Sequence, residues 1–187
     1  MSVLHLDPRE SIVLVVDVQE RLFTAMPELA GADLTRAGTA LLEGAAILGA
    51  AAAFTEQYPE KLGPTLPALS ERLAALSAPR FSKLDFSACR DPGFDSFLAK
   101  TERRRAVVIG METHICVFQT VRDLVARGFT VHVPMDGVAS RRDDHRAIGL
   151  DLCRAAGATI TTAETILFDW LGRAGSDEFR KISKLIK

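Results

Sequence analysis

Apolar residues in this chain fall into two kinds of run, short and continuous or longer and periodic. Ser11 to Val16, Ala51 to Thr55, Arg105 to Ile109, Phe129 to Pro134 and Ala158 to Thr161 are short runs of β-branched or small apolar residues. They read as buried strands, and Arg80 to Lys83 as a further short one. Between them the apolar positions recur at helical spacing. Leu34 to Leu48 (capped by Asp33), Leu66 to Leu76, Phe94 to Lys100, Ile115 to Arg127 and Asp143 to Ala156 are the predicted helices. Thr165 to Trp170 and Ser176 to Ile186 add two short ones. Gly128 and Gly157 stand where helix-ending glycines belong. Gln19 to Ala25 reads as a loop or short helix stopped by Pro27, and Glu56 to Pro64 is too rich in turn-formers to be regular. Strands alternating with helices imply βαβ units and a parallel sheet covered on both faces.

Composition narrows the class without naming a function. The 187 residues suit one domain, residues 1–187, and neither a repeat nor a linker interrupts them. A net charge of -1 without long single-sign runs argues against nucleic acid or an anionic membrane as partner. The first residues lack the basic and apolar parts of a signal peptide, and Ala45 to Phe54 is too short to span a bilayer. Cys89, Cys116 and Cys153 are odd in number and far apart, which fits free thiols in a reducing cytoplasm.

The run Ala106 to Thr120 carries the clearest chemistry. A buried strand ends at Gly110, Thr113 is positioned to cap the next helix, and Cys116 falls in that helix's first turn. Unpaired N–H groups and the positive end of the helix dipole meet there, which favours a thiolate and can hold an oxyanion. Functional groups gather at the carboxyl ends of strands in open parallel sheets. Asp17 after the first strand and Lys83 after the Arg80 segment stand at two further ends. A nucleophile, a carboxylate and a cation are the parts of covalent acyl transfer. Each has a plainer reading: Cys116 as core packing, Asp17 as a turn cap, Lys83 as a solvated surface residue.

Val15-Val16-Asp17-Val18-Gln19, Lys83 with Phe86-Ser87-Ala88, and Gly110-Met111-Glu112-Thr113-His114-Ile115-Cys116-Val117 resemble the isochorismatase-like cysteine hydrolases. Thr55-Glu56-Gln57-Tyr58-Pro59 with Leu62-Gly63-Pro64, and the ending Phe179 to Lys187, resemble the isochorismatase domain-containing subgroup. The resemblance covers almost the whole chain. It implies a Rossmann-like three-layer α/β/α fold with a six-stranded parallel sheet. It implies a catalytic triad of Asp17, Lys83 and Cys116, a cis peptide between Met111 and Glu112, and an oxyanion hole from the N–H groups of Glu112 and Cys116. It also implies a homo-oligomer, to which the apolar residues of the tail, Phe168, Trp170, Leu171, Phe179, Ile182, Leu185 and Ile186, lend support.

The nicotinamidase branch of that superfamily carries an Asp and two His after its second strand, which bind a divalent metal. Here Thr55 is followed by Glu56, Gln57, Tyr58 and Pro59, and His5, His114, His132 and His145 lack ligand spacing. No metal and no cofactor are expected. The retained cysteine leans toward a small amide or related acyl substrate, with vinyl-ether hydrolysis of the isochorismatase type as the alternative. A catalytically silent oligomeric binder is a third reading, since fold does not imply function. Cys116 to Arg122 has the C-x5-R spacing of cysteine phosphatases, but the intervening residues are helical and lack glycine. No strand is followed by the glycine pattern of nucleotide oxidoreductases. Gln19, Phe23, Tyr58, Phe86, Ile115 and Phe118 lie near the motifs and are candidates to line a small, partly apolar substrate pocket.

Overall fold

Two central strands, β1 (Ser11–Val16) and β4 (Arg105–Met111), are buried along their whole length, as the continuous apolar runs require. The computed structural model describes residues 4–186. Met1 to Val3 and Lys187, which the expected domain 1–187 includes, lie outside the described residues. Around the central pair are β2 (Ala51–Gln57), β3 (Arg80–Lys83), β5 (Thr130–Pro134), β6 (Val138–Ala139) and β7 (Thr159–Thr161). The order is β3-β2-β1-β4-β5-β7, and every pairing is parallel. β5 pairs with β4 at Arg105 to Val107, and β6 pairs with it at Gly110 and Met111. The short turn Met135–Gly137 therefore breaks one strand position into two, and the sheet has six positions.

Helices cover both faces. On one lie α2 (Glu28–Leu48), α4 (Pro67–Ala75), α8 (Ala163–Leu171) and α9 (Asp177–Leu185), packed on Val13, Val15, Val107 and Ile109. On the other lie α5 (Pro92–Lys100), α6 (Phe118–Ala126) and α7 (Asp143–Ala155), packed on Ile12, Leu14, Val16, Ala106 and Val108. Alternate residues of one strand thus serve opposite layers, as the strand period demands. Two single-turn helices, α1 (Glu20–Phe23) and α3 (Pro59–Leu62), sit in the loops after β1 and β2. No helix among the described residues is long and apolar enough to cross a membrane.

Three local expectations are corrected. α2 starts at Glu28 behind Pro27, so Asp33 is inside the helix, bonded to Arg36, and caps nothing. β2 continues to Gln57 and Pro59–Leu62 is helical, so part of the predicted irregular stretch is ordered by pairing with β3. In the tail, Trp170 and Ile182 are buried in the same cluster as α2, so these two cover their own chain.

β1 and β4 are neighbours, while the chain proceeds from β1 to β2 on one side and from β4 to β5 on the other. That is a topological switch point, where a crevice opens beyond the strand ends. Gly110 closes its floor. It is paired with Val16, has φ +142, and a Cβ there would lie 2.0 Å from the Val16 carbonyl oxygen. Only glycine permits that approach.

Candidate active site

Asp17 leaves β1 at φ 54, a conformation aspartate tolerates better than most residues. It is fully buried. Its Oδ1 accepts a 2.7 Å bond from the Thr55 hydroxyl, and its Oδ2 accepts a 2.6 Å bond from Lys83 Nζ. Lys83 is buried too, and its ammonium also donates to Gln57 Oε1 at 2.8 Å and to the carbonyls of Phe86 and Asp85 at 3.1 and 3.2 Å. An ammonium has three hydrogens. Those of Lys83 are spent within the protein, so it acts as a fixed charge beside Asp17.

Cys116 comes from the other side of the crevice. The turn that carries it, Thr113–Val117, is a π-turn, with Val117 N bonded to Glu112 O at 3.2 Å and α6 following directly. Such turns inside helices occur often at functional sites. The expected cap is corrected here. Thr113 bonds through its hydroxyl to Ala139 O and through its N–H to the Ser140 hydroxyl, latching the turn to β6. From behind, Gly149 of α7 supports the turn; a Cβ there would sit 2.6 Å from His114 N. The Met111–Glu112 peptide is cis.

The Asp17 carboxylate stands close enough to the Cys116 thiol for its charge and side chain to act on the thiol proton. Burial, followed by the Asp17 charge, pushes it up to about 12, with Lys83 opposing. The resting group is therefore a thiol with a proton acceptor beside it. Burial raises the neighbouring Glu112 carboxyl, but bonds from the Arg141 side chain and backbone outweigh it and hold the group below the usual carboxylate range. His114 Nδ1 lies 3.1 Å from the Ser140 hydroxyl, and its ring is 4.7 Å from that of His145. Burial lowers its affinity for a proton; Glu112 opposes this, and His145 and Arg141 add to it.

Asp17, Lys83 and Cys116 are thus brought together. The pocket candidates divide. Gln19 is corrected: it is fully buried, its amide bonded to Gln57 N, Gln57 O and Gly63 O, and it lines no open surface. Phe23 is corrected as well. It abuts Gly31 and faces the roughly 720 Å³ groove between α2 and α4, which no triad residue lines. Tyr58 and Phe86 are half exposed on the loops tied to Lys83, and Ile115 and Phe118 are partly buried on the Cys116 side. Arg122 stacks on Phe118 and bonds to Asp123, so it is not turned toward a phosphate at Cys116.

Sequence reading missed Thr55 and Gln57. The signal was available, because residues 55 and 57 alternate onto one face of a strand end adjacent to the Asp17 exit. It also missed the His114–His145 pair, which only the packing of α7 on the turn creates. Among the described residues, no group of three or more His, Cys, Asp or Glu is arranged to hold a metal ion. Glu56, the carboxylate nearest the nicotinamidase-type position, is instead bonded to the N–H and hydroxyl of Thr65.

A parallel sheet with a thiol, a carboxylate and an ammonium at its switch point has the build of an α/β cysteine hydrolase. The chain belongs to the isochorismatase family: the family model described as Isochorismatase domain matches residues 11–165. It is 36% identical over 98% of its length to isochorismatase domain-containing protein 1 of Salmo salar, and spans 63% of that relative. A solved structure of MAR1 ribonuclease from Caenorhabditis elegans is 34% identical and superposes with a TM-score of 0.89, covering 97% of this chain and 92% of that one. The Escherichia coli YcaC gene product, described as an octameric hydrolase of unknown specificity, has a TM-score of 0.86. It is 20% identical and covers 98% and 87% of the two chains, a likeness of fold.

Proposed function

We propose that the chain is a cysteine-dependent hydrolase of a small amide or related acyl substrate, working through a thioester on Cys116. The observation that carries this reading is the buried Cys116 thiol beside a buried Asp17 whose carboxylate is held by the buried Lys83. Asp17 takes the thiol proton as Sγ attacks the carbonyl carbon. The resulting oxyanion is received by the N–H groups of Glu112 and Cys116, a contribution of about 3 kcal/mol per donor. The C–N bond then breaks, Asp17 returns its proton to the leaving nitrogen, and an acyl thioester remains. Water attacks the thioester and gives a proton to Asp17. The C–S bond breaks, the thiolate recovers the proton, and a carboxylic acid leaves. The steps use side chains and backbone alone, with no cofactor.

Tyr58, Phe86, Ile115 and Phe118 would rim the acyl site, which fits a small and partly apolar molecule. The active form is a homo-oligomer, a reading supported by the octameric relative of the same fold. A screen of small amides and esters against wild type and Cys116→Ala tests the function. Wild type should hydrolyse at least one, the variant none, and quenched reactions should show the acyl mass on the Cys116 peptide. Hydrolysis surviving in Cys116→Ala would move the chain to the vinyl-ether type, with Asp17 as acid.

The name of the 34% identical relative supplies a second reading, RNA cleavage. A net charge of -1 and a nucleophile 6% exposed favour the small substrate. RNA cleavage that Cys116→Ala abolishes, with no small amide or ester turned over, would reverse the order.

A further inference from the structure

We propose that Gln57 is the positioning residue for Lys83 and that Gln19 acts through Gln57, so that two glutamines in series aim the ammonium at Asp17. This rests on the reading in which Asp17 accepts the Cys116 proton.

A lysine head has three rotatable donors on a flexible stem, and nothing in the residue itself fixes its direction. Its acceptors must do so. Gln57 sits opposite Lys83 in the β2–β3 register, and its Oε1 accepts from Nζ at 2.8 Å. The other end of the same amide, Nε2, donates to Leu84 O at 2.7 Å. Leu84 opens the loop whose next carbonyls, Asp85 O and Phe86 O, are the remaining acceptors of Nζ. One amide thus holds both the cation and the loop that supplies its other partners. Gln19 then holds Gln57, but only by the main chain: its Oε1 accepts from Gln57 N at 2.7 Å and its Nε2 donates to Gln57 O at 3.1 Å. The two roles are separable, because Gln19 touches no part of the Gln57 side chain that touches Lys83.

A neutral amide is the group this place calls for. A carboxylate there would compete with Asp17 for the Lys83 ammonium and oppose negative charge on Cys116. A hydrocarbon would remove the 2.8 Å acceptor and leave the ammonium, besides Asp17, only the longer contacts to the Asp85 and Phe86 carbonyls.

The test is the rate of Cys116 alkylation by iodoacetamide as a function of pH, read on the Cys116 peptide, with Cys153 as reference. Gln57→Met should slow Cys116 by about tenfold, the loss expected for one hydrogen bond to a charged group, and leave Cys153 unchanged. Gln57→Glu keeps an acceptor oxygen; it should recover the rate at high pH but displace the profile upward. Gln19→Met should slow Cys116, and combined with Gln57→Met should add nothing further. Wild-type rate and profile in Gln57→Met would overturn the positioning role, and additive effects would overturn the series. If Gln57→Met does not fold, Gln57→Glu decides: an undisplaced profile overturns the proposal. Alkylation needs no substrate, so these outcomes are independent of whether an amide is ever turned over. Failure of the underlying reading shows separately, as unchanged alkylation in Asp17→Asn.

Discussion

Two regions of the molecule bury a cysteine and tighten its hold on its proton. Cys116 lies in the crevice and Cys153 on the buried face of α7, and both thiols are pushed up to about 12. At Cys153 burial is the whole cause. At Cys116 burial is joined by the Asp17 carboxylate and opposed by the Lys83 ammonium. At neutral pH both groups rest as thiols. Resting ionisation therefore cannot distinguish them. What distinguishes them is that one thiol stands beside a group able to take its proton. In the proposed mechanism, activation at Cys116 is a matter of where the proton goes during attack, not of a standing charge, and the helix-terminus effect expected from sequence is outweighed.

The largest predicted effect removes that acceptor. Asp17→Asn should lower hydrolysis by about 10²–10⁴-fold, the usual worth of a positioned acid–base group. It should also bring Cys116 alkylation down to the Cys153 rate. Competing alkylation of the two peptides in one digest measures both against each other, and a Cys116 that stays fast would break the comparison.

Lys83→Met comes next, with its first effect on stability. Asp17 would remain in full burial without its cation, and breaking a buried pair from one side costs about 3–5 kcal/mol. Thermal melting should show a clear drop, and Cys116 should react more slowly in whatever fraction stays folded. A variant as stable as wild type would mean that Thr55 alone satisfies the carboxylate.

How much of this was legible in the sequence follows from what each feature depends on. The strands and most helices were legible because burial on both faces of a parallel sheet leaves unmixed apolar runs, and helices on top of it leave periodic ones. Asp17 and Lys83 stood out because each ends a strand run, and Cys116 because it opens the helix that follows one; their meeting in one crevice was carried by resemblance. Asp33 misled because a good capping residue looks the same inside a helix, and the true start depends on Pro27. Gln19 and Phe23 misled because nearness in sequence to Asp17 says nothing of which way a side chain leaves a turn. The support from Ser140, Gly149 and His145 was invisible, since it depends on α7 folding back onto the π-turn.

Gly149→Ala tests that support. The added methyl would meet backbone, not a flexible side chain, at 2.6 Å from His114 N. Overpacking of this kind costs about 1–3 kcal/mol. Because α7 carries Cys153 on the same helix, both regions lose stability. Only Cys116 chemistry should be displaced, read as a fall in kcat and in Cys116 alkylation relative to Cys153. Equal slowing of both peptides would show that the helix shifts as a whole and that the turn follows unharmed.

The smallest effect is the acid response of the turn itself. His114 binds a proton less readily folded than unfolded, chiefly through burial, with His145 and Arg141 adding to it and Glu112 opposing. The unfolded state therefore takes up more protons as pH falls below the ordinary histidine value of 6.5, and stability declines from there down to the lower folded value. Glu112 has the same sign further down. Burial works against its ionisation, but Arg141 holds it below 4.5, so the stability it supplies is present above that value and lost as pH falls through its folded value. Both groups flank Cys116, whereas burial is the sole cause of the Cys153 shift. Acidification should therefore loosen one region before the other. Relative to the intrinsic amide rate at each pH, hydrogen exchange at Thr113–Val117 should quicken between neutral and mildly acidic pH while the amides around Cys153 hold their protection. His114→Gln, which cannot take up a proton, should remove most of that change. If exchange quickened equally in both regions, or if His114→Gln behaved as wild type, the histidine would be a bystander. The acid sensitivity would then belong to the sheet as a whole.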